Sequence, residues 1–157
     1  MTQRIRAQGF TLIELLVVLA VMGILAMAVW PLSELTLQRE RERELRRALW
    51  EIRDALDAYK RAVDQGQIQV GASGSGYPPD LKALVQGVPN LTGGGTTFFL
   101  RRIPRDPFAD KSVAPMASWG LRSYQSPPDD PKPGEDVFDV FSRSERLGLN
   151  GVPLKDW

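Results

Sequence analysis

The feature that most constrains this chain is an unbroken apolar run, FTLIELLVVLAVMGILAMAVW from Phe10 to Trp30, led in by the short basic segment MTQRIRAQG. At about 1.5 Å per residue such a run makes a helix of roughly 30 Å, the thickness of a bilayer core. Arg4 and Arg6, with no acid before Gly9, put the leading residues on the cytoplasmic side by the positive-inside rule and everything after Trp30 on the other side. An ordinary cleaved secretory signal is the alternative, since Gly23 to Ala28 offers small residues of the kind a cleavage site needs. Against it stand the length of the run and the carboxylate of Glu14 inside it. A charge at mid-bilayer costs roughly 2.5 to 3.5 kcal/mol on insertion scales, so it marks function. The plainer reading places Glu14 near the interface, where the helix N-terminus favours an acid.

With 157 residues the chain holds one compact domain and a segment or two besides. The net charge of +1 leaves no large basic face for a nucleic-acid backbone, so nucleic acid is not expected as a partner. There is no Cys and no His. That removes disulfides, thiolate nucleophiles, Ser-His triads and the commonest zinc ligands together, and any metal must be held by oxygen. Only Ser-Lys or carboxylate pairs are left for catalysis, and none stands at a recognisable spacing, so no enzymatic activity is expected.

Gly9-Phe10-Thr11-Leu12-Ile13-Glu14 resembles the prepilin-peptidase recognition site of type IV pilins and pseudopilins. The resemblance implies cleavage between Gly9 and Phe10 and N-methylation of Phe10. Glu14 then becomes the fifth mature residue and Pro31 the twenty-second, positions that match the family pattern. It also implies a role in assembly for Glu14 and Pro31. Removing the leader exposes a cationic amine on Phe10, which the Glu14 carboxylate of a neighbour can neutralise in a packed fibre of helices. Pairing matters because a lone charge in a low-dielectric bundle costs several kcal/mol.

Pro31 is expected to kink or locally melt the helix, or to mark its end. Beyond it, Leu45, Ala48, Leu49, Ile52, Ala55, Leu56, Tyr59, Ala62 and Val63 recur at spacings of three and four, one apolar stripe on a helix running to about Gln65. The alternating charges of QRERERELRR, residues 38–47, read as a solvated face with surface ion pairs, or as contacts between fibre subunits. Residues 66–76 are a linker or loop by composition, and residues 77–85 a turn leading to a short helix with Asp80 as cap or first-turn acid. GVPNLTGGGTT reads as loop, and FFLRRIPRDPF as extended chain and turn around two prolines. Trp119–Tyr124 and Asp136–Ser142 read as two strands, with Trp119, Tyr124, Phe138 and Val140 as sheet or core residues.

The Tyr77-Pro78 start and the turn made by Leu100, Pro104, Asp106, Pro107 and Phe108 resemble the major pseudopilins of type II secretion, the protein G group, although that group commonly has Trp-Gly at Phe108-Ala109. The expected fold is α+β and pilin-like: a long N-terminal helix, half membrane-spanning and half amphipathic, packed on a small antiparallel sheet. The expected organisation is a cleaved leader (1–9), a transmembrane helix (10–30), its amphipathic continuation (31–65), and a variable region with the C-terminal sheet (66–157) that forms one globular domain with residues 35–65. The expected setting is a single pass through the bacterial inner membrane with the domain in the periplasm. The resemblance implies as partners other copies and other pseudopilins in a fibre, a prepilin peptidase, the inner-membrane secretion platform and membrane lipid. The function it implies is that of a structural pseudopilus subunit; a minor pseudopilin, a type IV pilus subunit and a membrane-anchored binding module are the alternatives. In the loop after Ser142 it implies calcium held by the Leu147 carbonyl, Asn150 and Asp156. The plain alternative is an ion-free turn closed by hydrogen bonds and by a salt bridge from Arg143 or Arg146 to Asp156.

Overall fold

The nine stripe residues from Leu45 to Val63 are all buried, and they form the floor on which the rest of the chain packs. They belong to α1 (Leu12–Asp64). The computed structural model describes residues 11–157, without the side chains of residues 27–33. It divides into two compact units, one ending at Gln38 and the other spanning Arg39–Trp157.

In the first unit α1 begins just after Thr11 and continues through position 31 without interruption. The local melting expected at Pro31 does not occur: proline removes one backbone donor, and the turns on either side keep the helix going. A second expectation is also corrected. No helix among the described residues is long and apolar enough to cross a membrane. The helix concerned is α1, whose first turn starts at Leu12. It also carries the carboxylate of Glu14. The membrane-spanning half of the fold, and with it single-pass residence in the inner membrane with a periplasmic domain, is therefore withdrawn.

In the second unit a short helix, α2 (Lys82–Gln86), lays Leu84 into the core. Asp80 Oδ1 accepts the Ala83 N–H at 3.0 Å, the capping role its position suggested. The segment expected to be only loop contains a two-residue hairpin, β1 (Val88–Pro89) paired antiparallel with β2 (Thr96–Thr97). Gly87, at the end of α2, has φ of 81°, and a Cβ there would come within 2.5 Å of the Thr96 methyl, so only glycine fits that corner. A 3₁₀ turn (Pro115–Ser118) leads into β3 (Trp119–Arg122), which pairs antiparallel with β4 (Asp139–Ser142) in the register Trp119 to Ser142 and Arg122 to Asp139. Trp119, Val140 and Leu154 are fully buried against α1 residues such as Leu45 and Ile52. Tyr124 lies beyond the strand and is exposed, stacked on Tyr77 and edge-on to Phe138, rather than in the core. The architecture is thus a helix carrying a small antiparallel sheet, as in pilin-like folds.

Candidate functional site

The cleavage site itself, Gly9-Phe10, lies outside the described residues. Immediately after it, Thr11 sets the start of α1. Its Oγ1 accepts the Glu14 N–H at 3.3 Å, and its carbonyl accepts the N–H groups of Glu14 at 3.1 Å and Leu15 at 3.2 Å. Thr11-x-x-Glu14 therefore opens the helix as an N-cap with an acid at the third position, the spacing of a capping box. That pattern was legible in the sequence and its capping role was missed there. The cap holds Glu14 on the first turn, where unpaired N–H groups make a partial positive charge that favours a carboxylate.

Around and beyond Glu14 every large apolar side chain from Leu12 to Leu25 is exposed, among them Leu12, Ile13, Leu16, Leu19 and Ile24. These positions occupy all faces of the helix rather than one stripe. A helix that is apolar all round is built to be enclosed by other apolar elements. One carboxylate near the start of such a helix is a charge that its packing partners must meet.

The polar groups of the second unit serve mainly to hold the fold. Asp106, 1% exposed, is its central acid: Oδ1 accepts the Phe108 N–H at 2.8 Å, Oδ2 accepts the Ser142 hydroxyl at 2.6 Å, and its own N–H donates to Ser118 Oγ at 3.2 Å. Trp119 Nε1 donates to the Pro104 carbonyl at 2.8 Å, so the proline turn is fastened to β3 through Trp119 and to β4 through Ser142. Arg53 of α1 donates to Asp139 Oδ1 at 2.8 Å and to the carbonyls of Val140 at 3.1 Å and Trp157 at 2.9 Å. Glu42 departs from the solvated face expected of residues 38–47. It is buried and accepts the Leu149 N–H at 2.8 Å.

The segment expected to hold calcium is closed by its own backbone. Leu147 bridges to Pro153, the Gly148 N–H donates to the Val152 carbonyl at 2.9 Å, and Asn150 Oδ1 accepts the Val152 N–H at 3.1 Å. Asp156 lines a cleft of about 560 Å³ with Arg53, Arg122, Lys155, Asp129 and Asp139. Asn150 borders an adjoining pocket that shares Arg53 and Trp157 with that cleft. Among the described residues no group of three or more acidic side chains gathers for a metal ion. The alternative ion pair from Arg143 or Arg146 to Asp156 is also absent among the described residues.

Residues 4–30 match the family model of the prokaryotic N-terminal methylation motif. No curated protein and no solved structure matches the chain. The motif is that of structural subunits, without catalytic residues of their own. The apolar helix with its capped acid, and the match across residues 4–30, identify this chain as one that carries the N-terminal methylation motif typical of type IV pilin and pseudopilin-like proteins.

Proposed function

We propose that the chain is a structural subunit of a type II secretion pseudopilus, a fibre whose growth drives export of folded proteins across the outer membrane. A prepilin peptidase removes residues 1–9, Phe10 becomes the N-methylated first residue, and the N-terminal part of α1 packs among the same helices of other subunits. The observation that carries this reading is the capped Glu14 on a helix whose surroundings are apolar on every face. Once such helices bundle, Glu14 has no water to solvate it. A cationic amine on a neighbouring Phe10 is the complement its position calls for, and the pair fixes the docking register because either charge alone would be left buried and unmatched.

The test is assembly of Glu14→Ala and Glu14→Leu chains as the sole copy in a secreting strain. Both should fold, since Glu14 lies outside the core, and neither should join fibres efficiently. Wild-type fibre formation and secretion by these variants would refute the charge-pairing account. Cleavage is tested by intact mass: the wild-type chain should lose nine residues, and Gly9→Leu should stay uncut. Normal removal of the leader from Gly9→Leu would show that Gly9 does not define the site.

A further inference from the structure

Asparagine occurs twice in this chain, as Asn90-Leu91 and as Asn150-Gly151. An asparagine cyclises when the backbone nitrogen of the next residue attacks its side-chain carbonyl carbon, and a following glycine removes the Cβ that would hinder the approach. Leu149, Asn150 and Gly151 are all exposed, in the loop closed by the bridge from Leu147 to Pro153. Asn150 Oδ1 accepts the Val152 N–H at 3.1 Å, an Asx turn that folds the carboxamide back over the Gly151 peptide nitrogen. The same bond polarises the carboxamide carbonyl and is placed to meet the negative charge its oxygen gains under attack. One contact opposes the reaction: the Gly151 N–H donates to the Gly148 carbonyl at 2.9 Å and must let go first. Breaking a single turn bond in an exposed loop takes local opening, not unfolding of the domain.

The surroundings suit a carboxylate better than an amide. Asn150 borders a pocket of about 240 Å³ together with Arg46, Arg53 and the indoles of Trp50 and Trp157, and none of the side chains lining it is acidic. Arg53 is already engaged by Asp139 and by the carbonyls of Val140 and Trp157. Arg46 lies with its guanidinium 4.4 Å from the centre of the Trp157 ring, and none of the ion pairs among the described residues uses it. An acid at position 150 would face a cation that lacks one.

We propose that Asn150 is a self-modification site, converted in the folded chain to an acid that pairs with Arg46. The Gly151 nitrogen bonds to Asn150 Cγ as its proton passes to a solvent base. The Cγ–Nδ2 bond breaks, and Nδ2 takes up a proton and leaves as ammonia, closing a five-membered succinimide. Water then adds to one ring carbonyl and breaks the bond from that carbon to the ring nitrogen. Opening at Cγ gives aspartate and keeps the turn; opening at the Asn150 backbone carbonyl gives isoaspartate, whose extra main-chain atom spoils the register of the bond from Gly148 to Val152. No electrons are exchanged, and water is the only co-reactant. The reaction needs no partner, so it stands or falls separately from the fibre reading.

The test incubates the full chain in heavy-oxygen water at mildly alkaline pH and maps its peptides by mass spectrometry. Position 150 should gain heavy oxygen at least tenfold faster than Asn90, the internal control, whose Oδ1 accepts the Thr92 N–H at 3.0 Å in the same kind of turn but which Leu91 follows. The folded chain should react at least as fast as the chain unfolded in urea. Gly151→Ala should slow the unfolded chain at least tenfold, a readout free of any strain at the folded φ of 78°. Asn150→Asp should melt about 1–4 °C above wild type, the yield of one exposed ion pair, and Arg46→Gln should abolish that difference. An unfolded chain that reacts while the folded chain stays intact would mean that the Gly148 carbonyl guards the nitrogen, and would overturn the site. An Asn150→Asp chain no more stable than wild type, or a gain indifferent to Arg46→Gln, would overturn the pairing.

Discussion

Replacing Asp106 by Ala tests whether the proline turn is held to the sheet by a buried carboxylate. Asp106 is 1% exposed and Ser142 fully buried, so neither group can turn to water when its partner is lost. Two hydrogen bonds to a charged acceptor disappear, from the Phe108 N–H and the Ser142 hydroxyl. Bonds of that kind contribute about 1.5–3 kcal/mol each. They share one acceptor group and are not additive, and removing a buried charge recovers some desolvation, so the net loss should be about 3 kcal/mol. For a domain of this size that lowers Tm by about 9–12 °C, at roughly 3–4 °C per kcal/mol. Asp106→Asn keeps the shape and one acceptor oxygen and should cost about half as much. Asp110 is the natural control: it makes the same local turn, accepting the Ser112 N–H and hydroxyl at 2.8 Å each, but in full contact with solvent. Asp110→Ala should leave the transition nearly in place. The assay is near-UV circular dichroism of the full chain during heating, which reports on the packing of Trp119 beside Ser118. An Asp106→Ala chain melting within about 1 °C of wild type, less than about 0.5 kcal/mol, would refute the argument.

Two other perturbations follow from the same geometry. Arg53→Lys keeps the charge but cannot reach Asp139 and the carbonyls of Val140 and Trp157 together, and should cost about 1–2 kcal/mol in urea denaturation with an unchanged m-value; wild-type stability would contradict it. Burial pushes the Tyr59 and Tyr77 phenols above their ordinary value, and the Asp57 carboxylate adds to the effect at Tyr77. Keeping them neutral contributes stability that is fully present below pH 10.0, the ordinary phenol value, and is lost as pH rises through their folded-state values. Phenolate absorbance should show a late-titrating component that Tyr59→Phe and Tyr77→Phe reduce; titration curves unaltered by both changes would count against it.

Periodicity carried the sequence reading furthest in the second half of α1. All nine positions from Leu45 to Val63 are buried there, because a helix of that length sorts its residues by face regardless of what covers them. The two strands were legible as alternating segments, although β4 begins at Asp139 rather than Asp136. Asp136 instead caps the Tyr124 N–H at 2.8 Å. The hairpin of β1 and β2 was hidden in a glycine-rich stretch, since two-residue strands have no period to read. The Asp106 node was half visible. An Asp between prolines announces a turn, but Ser142 is 36 residues away and no local rule links them. Among the terminal residues, Glu14 stood out by its charge and Thr11 did not, though the interval between them encodes the cap. The calcium ligands Leu147, Asn150 and Asp156 followed from resemblance alone; Asn150 and Asp156 line adjoining pockets that share Arg53 and Trp157. The membrane assignment rested on apolar length in the sequence, and no helix among the described residues is long and apolar enough to bear it out.

The bonds from Arg53 to the Trp157 carbonyl and from Glu42 to the Leu149 N–H span 104 and 107 positions of chain. Leu154, from the same closing segment, lies wholly inside the core. During synthesis the apolar stripe of α1 therefore emerges long before the residues that finish covering it. At roughly 5–20 residues per second the interval is on the order of 5–20 s. For that time the nascent helix offers an uncovered greasy face, and a holding chaperone or an early-bound neighbour would be needed to keep it from sticking elsewhere. Completion of this domain thus waits for residues 149–157, long after its helical floor has been made.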